Sequence, residues 1–476
     1  MWATLERALT SNESATAKAL RRVCEQGDAE AVRRLLLQAS PLDITAVDPS
    51  TGRVGLHLAS MNGYGRVVSA LLPFLDDVNQ RDFKGCTALH LALEHGKDDV
   101  ARMLLRHVAT DVNAADSAGD TALHVAARVG RANCLRLLVR APGLTDVNCP
   151  NLNGNTAFMV ACANDNMETL QELVNAPGLD MNRANHHGNS CLTLAAQQGH
   201  AGLVSLLLGH GTFDVNHSNK DGLSALMIAC VANDAAIASL LLQVPTIDLA
   251  LREKRAQRTA LMLASVHNAG AITALLLAHP HLVDRNATDH TQATALVLAA
   301  QHNARDVVQA FALASTGVDF AAANAAGDSA FLLAVVHRYI DVARHLLPFI
   351  DVNAPHPTTG QTALMLACAQ PFPRMIELLL ATPGIAINAL DTAGESALLV
   401  ACRWNNVAAL QLLCALPSLD LFVCSKTNTH ALEIAATVDN PQVAATLFHR
   451  LFTMHMHLGL PRELAEMTAI FYGPRC

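Results

Sequence analysis

The chain has 476 residues, of which 51% are hydrophobic and only 4% are aromatic. Its formal net charge of -8 and its pI near 6.2 argue against a dedicated nucleic-acid binder, which needs a basic face. No apolar run approaches the ~18 residues of a membrane span, and Glu6 and Arg7 interrupt any candidate signal peptide, so we expect a soluble intracellular protein.

In chain order, the first predicted element is a short helix over residues 1–9, followed by a polar stretch at residues 10–14. We assign residues 1–16 to an N-terminal segment. A weak repeat follows, with Leu20 in its first apolar run and Gly27 as the break before a second run. The charged residues around it suit the outer end of a repeat array.

A clearer unit runs from Gly85 to Asn113 and reads G-C-T-A-L-H-L-A-L-E-H-G-K-D-D-V-A-R-M-L-L-R-H-V-A-T-D-V-N. Gly96 separates two apolar runs, and Asp-Val-Asn closes the unit. We call Leu89, in the T-A-L-H string, the anchor of this unit. Successive anchors lie 33 to 35 residues apart. They are Leu56, Leu89, Leu123, Phe158, Leu192, Leu226, Leu261, Leu296, Phe331, Leu364, Leu398 and Leu432.

This unit resembles the ankyrin repeat, in which a hairpin turn is followed by two antiparallel helices. The resemblance implies an all-α fold with short β-hairpin turns, an ankyrin-repeat α-solenoid of about 13 repeats over residues 17–450. After it, Pro461 can start a helix that stops before Gly473, so we interpret residues 451–476 as a C-terminal capping helix or tail.

Several positions of the unit are interpreted as structural. His57, His90 and His124 directly follow their anchors, and ankyrin repeats typically use this histidine to hydrogen-bond between repeats. The inter-helix glycine, replaced by asparagine in later units, is expected in the left-handed conformation. Arg338 and Pro371 at that position are departures from the pattern. The valine of each closing Asp-Val-Asn predicts a short half-buried strand.

The twelve cysteines do not resemble a disulfide framework. Cys162, Cys230, Cys368 and Cys402 each fall four residues after an anchor, where other units have serine or alanine. A small buried free thiol fits that position, and equivalent positions in separate repeats are too far apart for a disulfide. Reduced cysteines in a large chain fit a cytoplasmic protein, and a nuclear location is also possible.

No catalytic motif is present: there is no phosphate-binding glycine loop, no H-E-x-x-H and no nucleophile elbow. We therefore predict no enzyme activity, no catalytic residue and no cofactor. His267, His302 and His337 fall six residues after three successive anchors. A shared zinc ion is not expected, because neighbouring helices lie roughly 8–10 Å apart and zinc–nitrogen bonds are about 2 Å.

Under the ankyrin resemblance, the fifth and sixth positions after each anchor face a concave surface. The three histidines form a partner-binding stripe with modest pH sensitivity or are ordinary exposed side chains. Trp404 and Phe83 are the first candidates for interface energy, although Trp404 could instead pack against the next repeat. The candidate partner-binding residues are Arg81, Phe83, Glu94, His95, Arg128, His267, His302, His337, Arg403 and Trp404.

Two further features have open interpretations. The basic loop at residues 252–258 is a solvated loop or a docking site for an acidic segment. Residues 71–79, 105–113 and 208–216 match the pattern of asparagines that are hydroxylated in ankyrin repeats, but these asparagines could simply cap the turn.

The preferred function is a non-catalytic scaffold or adaptor that binds other proteins through the concave face and the hairpin tips. The alternative is a substrate-recognition subunit of a ubiquitin ligase, because Leu460-Pro461-Arg462-Glu463-Leu464 is similar to the opening of an adaptor-docking box. We expect protein partners, no nucleic acid, no membrane and a monomer. The family is functionally diverse, so the resemblance predicts no particular partner.

Overall fold

The structure is a computed structural model that describes residues 14–210, 213–282, 284–438 and 440–457. Throughout these ranges the chain is helical, with turns and isolated bridges and without a strand. This confirms the predicted ankyrin-repeat solenoid class. Two compact units are present, one made of Met1–Ile228 with Gln243–Thr246 and the other of Ala229–Leu242 with Ile247–Cys476.

In the first unit, helices follow one another in pairs, and each pair is one repeat. A short extra helix, α3, follows the first pair, and the 3-10 turn Leu72–Phe74 extends α5. The helices are α1 (Ala15–Gln26), α2 (Ala29–Leu36), α3 (Pro41–Ile44), α4 (Gly55–Asn62), α5 (Gly65–Leu71), α6 (Ala88–Glu94), α7 (Asp98–Arg106), α8 (Ala122–Val129), α9 (Ala132–Val139), α10 (Ala157–Ala163), α11 (Met167–Val174), α12 (Cys191–Gln198), α13 (Ala201–Gly209) and α14 (Ala225–Ala232), whose last residues belong to the second unit.

The second unit repeats the same pairing, with the 3-10 turn Leu347–Phe349 after α21. Its helices are α15 (Ala235–Leu242), α16 (Ala260–Val266), α17 (Gly270–Ala278), α18 (Ala295–Gln301), α19 (Arg305–Leu313), α20 (Ala330–Val336), α21 (Ile340–Leu346), α22 (Ala363–Cys368), α23 (Pro373–Leu380), α24 (Ala397–Arg403), α25 (Val407–Cys414), α26 (Ala431–Thr437) and α27 (Pro441–His457).

Each predicted anchor is the second residue of the first helix in its pair. The anchors Leu89, Phe158 and Leu296 are buried among alanine, leucine and valine side chains. Small residues such as Ala92 and Ala126 are fully buried, and they allow neighbouring helices to approach closely. This packing explains how a chain with few aromatic residues forms a continuous hydrophobic core.

Most first helices begin at a threonine or serine two residues before the anchor, and Val54 and His430 are the exceptions. The Oγ1 atom of Thr156 accepts a hydrogen bond from the Met159 N–H at 3.3 Å, and Thr294 accepts one from Val297 at 3.3 Å. Such N-caps satisfy a backbone N–H that the helix itself cannot, and each contributes about 1 kcal/mol. The Ser/Thr before Ala-Leu therefore defines the start of these helices.

The residue seven positions after the anchor lies in the left-handed region in most repeats, as predicted. Pro371, a predicted departure, is not among these positive-φ residues. Gly96 has φ 67°, Gly130 has φ 76° and Asn268 has φ 53°. The expectation that Arg338 departs from this geometry is wrong, since its φ is 64°. The side chain of Arg338 donates to Gln370 Oε1 at 2.9 Å in the next repeat, and this contact holds the residue in a conformation that arginine rarely adopts.

The Asp-Val-Asn closings form turns, so the predicted short strands are wrong. Val112 is buried as expected, but the Asp111 carboxylate accepts a hydrogen bond from the Asn113 N–H at 2.9 Å and closes a turn. Asn113 then donates to the Gly143 carbonyl at 2.6 Å and accepts from the Thr145 N–H at 3.2 Å. Similar bridges to the following repeat are made by Asn79, Asn148, Asn286, Asn353 and Asn388.

The histidines that follow the anchors hydrogen-bond between repeats, as predicted. His90 is 1% exposed; its Nδ1 accepts from the Thr87 N–H at 3.2 Å, and its Nε2 lies 3.1 Å from the Asp120 carbonyl. His57 and His124 make the equivalent contacts. Burial lowers the pKa of all three imidazoles, so they are neutral near pH 7.

The described cysteines are all free thiols. The four at the position after the anchors, Cys162, Cys230, Cys368 and Cys402, are buried, and burial raises the pKa of each thiol, to about 12 for the last three. A thiol with so high a pKa is held as the unreactive protonated form. These residues therefore serve packing.

The last described helix, α27, crosses residue 450, where we placed the end of the repeat array. The division into residues 1–16, 17–450 and 451–476 stays a prediction, as does the number of repeats. The predicted helix at residues 1–9 and the Leu460–Leu464 stretch lie outside the described residues.

Candidate partner-binding face

Two adjacent positions at the end of each first helix carry most of the predicted site residues. The first position is the fifth residue after the anchor, and the second, here called the C-cap slot, is the sixth. Where the following residue has positive φ, the C-cap slot has nearly the same backbone geometry from repeat to repeat. The φ and ψ angles are −91° and 7° at His95, −95° and 12° at His267, and −89° and 8° at Trp404.

The side chains in the C-cap slot point into solvent. His95, His267, His302 and His337 are exposed, and Trp404 is 64% exposed. Most of the Trp404 side chain is therefore exposed, and packing of the rest against the next repeat stays an alternative. An exposed tryptophan on a fixed helix end offers a large contact area at a small cost in conformational entropy.

The position before the C-cap slot carries Glu94, Arg128 and Arg403, all exposed. Arg128 lies 3.3 Å from the Asp120 carboxylate, and Arg403 pairs with Glu395. Each acidic partner lies eight residues earlier, in the loop before the same helix. These pairs orient the arginines, and because the arginines are partly exposed, we expect each pair to contribute little to stability.

The loops before the first helices carry the remaining two predicted residues. Phe83 is 65% exposed, and its ring covers Gly52 of the preceding loop, where an added Cβ would lie 2.5 Å from the ring. Arg81 is exposed, but one guanidinium nitrogen donates to the Ala115 carbonyl at 2.7 Å. Phe83 therefore has a free face for a partner, whereas Arg81 partly serves to join two loops.

The structure brings the histidines of the second unit together with part of the basic loop. Partial burial lowers the pKa of His302, and the positive charges of Arg258 and His267 lower it further. These three residues are thus electrostatic neighbours. His337 occupies the same slot on α20, and its ring lies 5.6 Å from that of Tyr339.

The sequence analysis missed two ion pairs with buried carboxylates. Arg258, three residues before its anchor, lies 3.3 Å from the fully buried carboxylate of Asp289 in the next loop. Arg53 and Asp82 form the same pair at 3.2 Å in the first unit. Burial raises the pKa of Asp289, but hydrogen bonds from Thr291, Ala293 and Arg258 lower it more, so the carboxylate stays charged. The sequence does contain a signal for these ion pairs: an arginine three residues before one anchor and an aspartate in the loop of the next unit.

Within the described ranges, no group of three or more His, Cys, Asp or Glu side chains is placed to hold a metal ion. No helix in that part of the chain is long and apolar enough to cross a membrane. The histidines of the C-cap slot thus stand as separate side chains on successive helices.

Paired helices, bridging histidines and asparagines, and variable exposed C-cap slots define a helical repeat protein. The family profile described as ankyrin repeats (3 copies) matches residues 20–116, 109–185, 158–252, 192–286 and 331–429. These matches cover well over half of the sequence, and the chain belongs to the ankyrin repeat family. Ankyrin repeats bind other proteins, and the chain shares this general function with its family.

Similar known proteins share only part of their length with this chain. Protein phosphatase 1 regulatory subunit 27 of Mus musculus is 38% identical over 80 residues, which are 17% of this chain and 51% of that protein. The Homo sapiens protein of the same name is 36% identical over 80 residues, with the same coverage of 17% and 51%. The chain therefore spans about half the length of the curated relatives it matches.

Among solved structures, the ankyrin repeat domain of Bcl-3, described as a unique member of the IkappaB protein family, matches with 24% sequence identity and a TM-score of 0.44. The match covers 48% of this chain and 99% of the Bcl-3 chain.

Proposed function

We propose that this protein is a non-catalytic scaffold or adaptor that binds partner proteins through the C-cap slots and the loop tips. The observation that carries this proposal is the exposure of Trp404 and Phe83, at 64% and 65%, on backbone that the repeat packing holds fixed. Large exposed apolar side chains on rigid elements are the usual centres of protein interfaces.

The surrounding polar groups support the same role. The asparagines, the buried histidines and the loop aspartates are engaged in bridges between repeats, and they therefore serve the fold. The side chains in the C-cap slot vary from repeat to repeat: Gln370 and Asn62 bond to the preceding repeat, whereas the slot histidines and Trp404 have no such task. A surface of this kind can change its partner without changing the fold.

The relatives support a binding role without identifying the partner. The curated relatives are named as regulatory subunits of a phosphatase, which is consistent with a protein that acts by binding rather than by catalysis. Because the match covers about half of those proteins, phosphatase binding by this chain is not part of the proposal. A cytoplasmic or nuclear location and a monomeric state complete the proposal, and the free buried cysteines fit a reducing compartment.

The test is affinity purification of the full chain, followed by mass spectrometry, with Trp404→Ala and Phe83→Ala variants. Leu313→Ala is the matched control, because Leu313 is 82% exposed but lies on the second helix α19, away from the C-cap slot. We expect one of the first two variants to lose specific partners while the control retains them. Equal recovery by all variants would contradict the proposal.

A truncation after His457 tests the ubiquitin-ligase alternative in the same experiment, since it keeps α27 whole and removes Leu460–Leu464. Ligase components recovered by the full chain and lost with the truncation would favour that alternative. Leu460–Leu464 lie outside the described residues, and no described residue supports the ubiquitin-ligase alternative.

A further inference from the structure

The second unit concentrates basic side chains around the C-cap slots of three successive repeats. We call His267, His302 and His337 the histidine row. Each is exposed and directly follows the last residue of a first helix, α16, α18 or α20. Since α16 packs on α18 and α18 packs on α20, the row crosses three neighbouring helix ends.

The basic loop that precedes α16 lies beside this row. Lys254 and Arg255 are exposed at its tip, and Arg252 donates to the Thr288 carbonyl of the next loop at 2.6 Å. The one acidic residue of the loop, Glu253, is buried, and its carboxylate accepts hydrogen bonds from backbone N–H groups of the same loop at 2.6 to 3.2 Å. The outward side chains of the loop therefore carry positive charge.

Several carboxylates of the same repeats have partners within the chain. Asp289 is paired with Arg258, and Asp328 lies 3.4 Å from His356 Nε2. On the adjoining second helices, Asp306 approaches the Asn268 amide at 3.5 Å. Other charged or titratable side chains of these repeats are Arg305 and Arg344, which pair with Asp341, and Arg338, Tyr339 and His290.

The basic loop thus presents exposed positive side chains on a chain whose formal net charge is -8. Partial burial lowers the pKa of His302, and Arg258 and His267 lower it further, so the neutral form of this imidazole is favoured in the free protein. A ligand that brings carboxylates to the row would favour the protonated imidazoles and would raise their pKa. Binding and protonation are then linked, and each strengthens the other.

Resting on the proposed scaffold function, we infer that the histidine row and the basic loop at residues 252–258 bind an extended, carboxylate-rich segment of a partner protein. The basic loop supplies permanent positive charge, and the histidine row supplies charge that appears on binding. The complementary charge on the partner is that of closely spaced Asp and Glu side chains. Affinity increases as the pH falls through the range in which the histidines titrate.

The probe is a fluorescein-labelled peptide of alternating Glu and Ser, with an alternating Lys and Ser peptide as the charge control. Binding to the full chain is measured by fluorescence anisotropy at about pH 8 and about pH 6, on either side of the ordinary histidine pKa near 6.5. Gain of one proton on binding corresponds to about a tenfold change in affinity for each pH unit through which the linkage operates. We expect tightening of about tenfold or more between the two pH values.

The decisive variant is the triple change His267→Asn, His302→Asn and His337→Asn, which removes the titrating groups and leaves residues that suit a helix C-terminus. The matched control is His95→Asn, since His95 occupies the same slot with φ −91° and ψ 7° but stands outside the basic loop and the histidine row. The triple variant should bind the Glu peptide with an affinity that no longer depends on pH. The control should keep the full pH response, and thermal melts should show all variants folded.

Tightening of the same size in the wild type and the triple variant would overturn the inference, as would equal binding of the Lys peptide. Loss of pH dependence in the His95→Asn control would also overturn it. The outcome is separate from the scaffold proposal: partner recovery that depends on Trp404 could persist when the peptide fails to bind. Conversely, peptide binding could stand when no protein is recovered.

Discussion

Replacing His90 by methionine should reveal how the bridging histidines make stability depend on pH. The imidazole Nδ1 accepts from the Thr87 N–H at 3.2 Å and lies 2.8 Å from the Thr87 hydroxyl, while Nε2 reaches the Asp120 carbonyl at 3.1 Å. The Nε2 atom must carry the proton, because Nδ1 faces two donors. Methionine is the test residue because the chain itself uses Met159 and Met262 at this position, where both are buried.

At pH 7.5 the change should lower the free energy of unfolding by about 1–2 kcal/mol. Three hydrogen bonds are lost, each with a net value of about 0.5–1.5 kcal/mol. Part of this is recovered, because a threonine hydroxyl no longer facing an imidazole can accept from the helix N–H, as Thr156 does from Met159 at 3.3 Å. Methionine also fills most of the space with little strain.

Below about pH 6.5 the difference should shrink and then reverse. Burial lowers the pKa of His90 in the folded protein, whereas the unfolded chain has the ordinary value near 6.5. The unfolded state therefore binds more protons than the folded state. The stability that neutral His90 contributes is fully present above about pH 6.5, and it is lost as the pH falls toward the pKa of His90 in the folded protein. The loss reaches up to about 1.4 kcal/mol per pH unit for each such histidine.

Urea denaturation followed by circular dichroism, at several values from about pH 7.5 to about pH 5, measures the difference across this range. Repeat arrays can unfold in stages, so native-state hydrogen exchange in α6 and α8 is measured in parallel. His95→Met, in the exposed C-cap slot of the same repeat, is the control and should show a difference that does not change with pH. A constant difference for His90→Met over the whole range would refute the reasoning.

Substitutions at three further positions test the bridges and turns. Asn113→Ala removes its bonds to the next repeat and should lower the free energy of unfolding in urea by about 1–3 kcal/mol. Arg258→Met leaves the buried carboxylate of Asp289 unpaired and should lower the free energy of unfolding, from thermal melts, by about 2–3 kcal/mol, less than for a fully buried pair. Asn303→Ala, at φ 55°, should cost about 1 kcal/mol in the same melts, whereas Asn303→Gly should not destabilise.

Most of the fold could be predicted from the sequence, because the repeat spacing recurs many times. Each position of the repeat is therefore sampled many times in one sequence. The residue after the anchor, for example, is histidine in some repeats and methionine in others, and this combination indicates a buried position. The left-handed residue was recognised in the same way from glycine and asparagine. Arg338 was misjudged because its conformation depends on a contact with Gln370, and sequence alone does not show that contact.

The strand prediction failed for a related reason. Val112 alternates with polar neighbours as a strand residue would, but Asp111 and Asn113 bond to the backbone locally and to the next repeat. Side-chain-to-backbone bonds of Asp and Asn compete with strand pairing, and here they prevail. The alternation correctly predicted which residue is buried, and it did not determine the backbone conformation.

The candidate site is less predictable than the fold, because the same backbone geometry accepts unrelated side chains in the C-cap slot. His95 and Trp404 have almost identical φ and ψ angles, since the positive-φ residue after each one fixes the chain direction. The packing of the repeat therefore imposes no chemistry on this slot. Selection for a partner can act on the slot, and the binding proposed for the histidine row and the basic loop would be one use of this freedom.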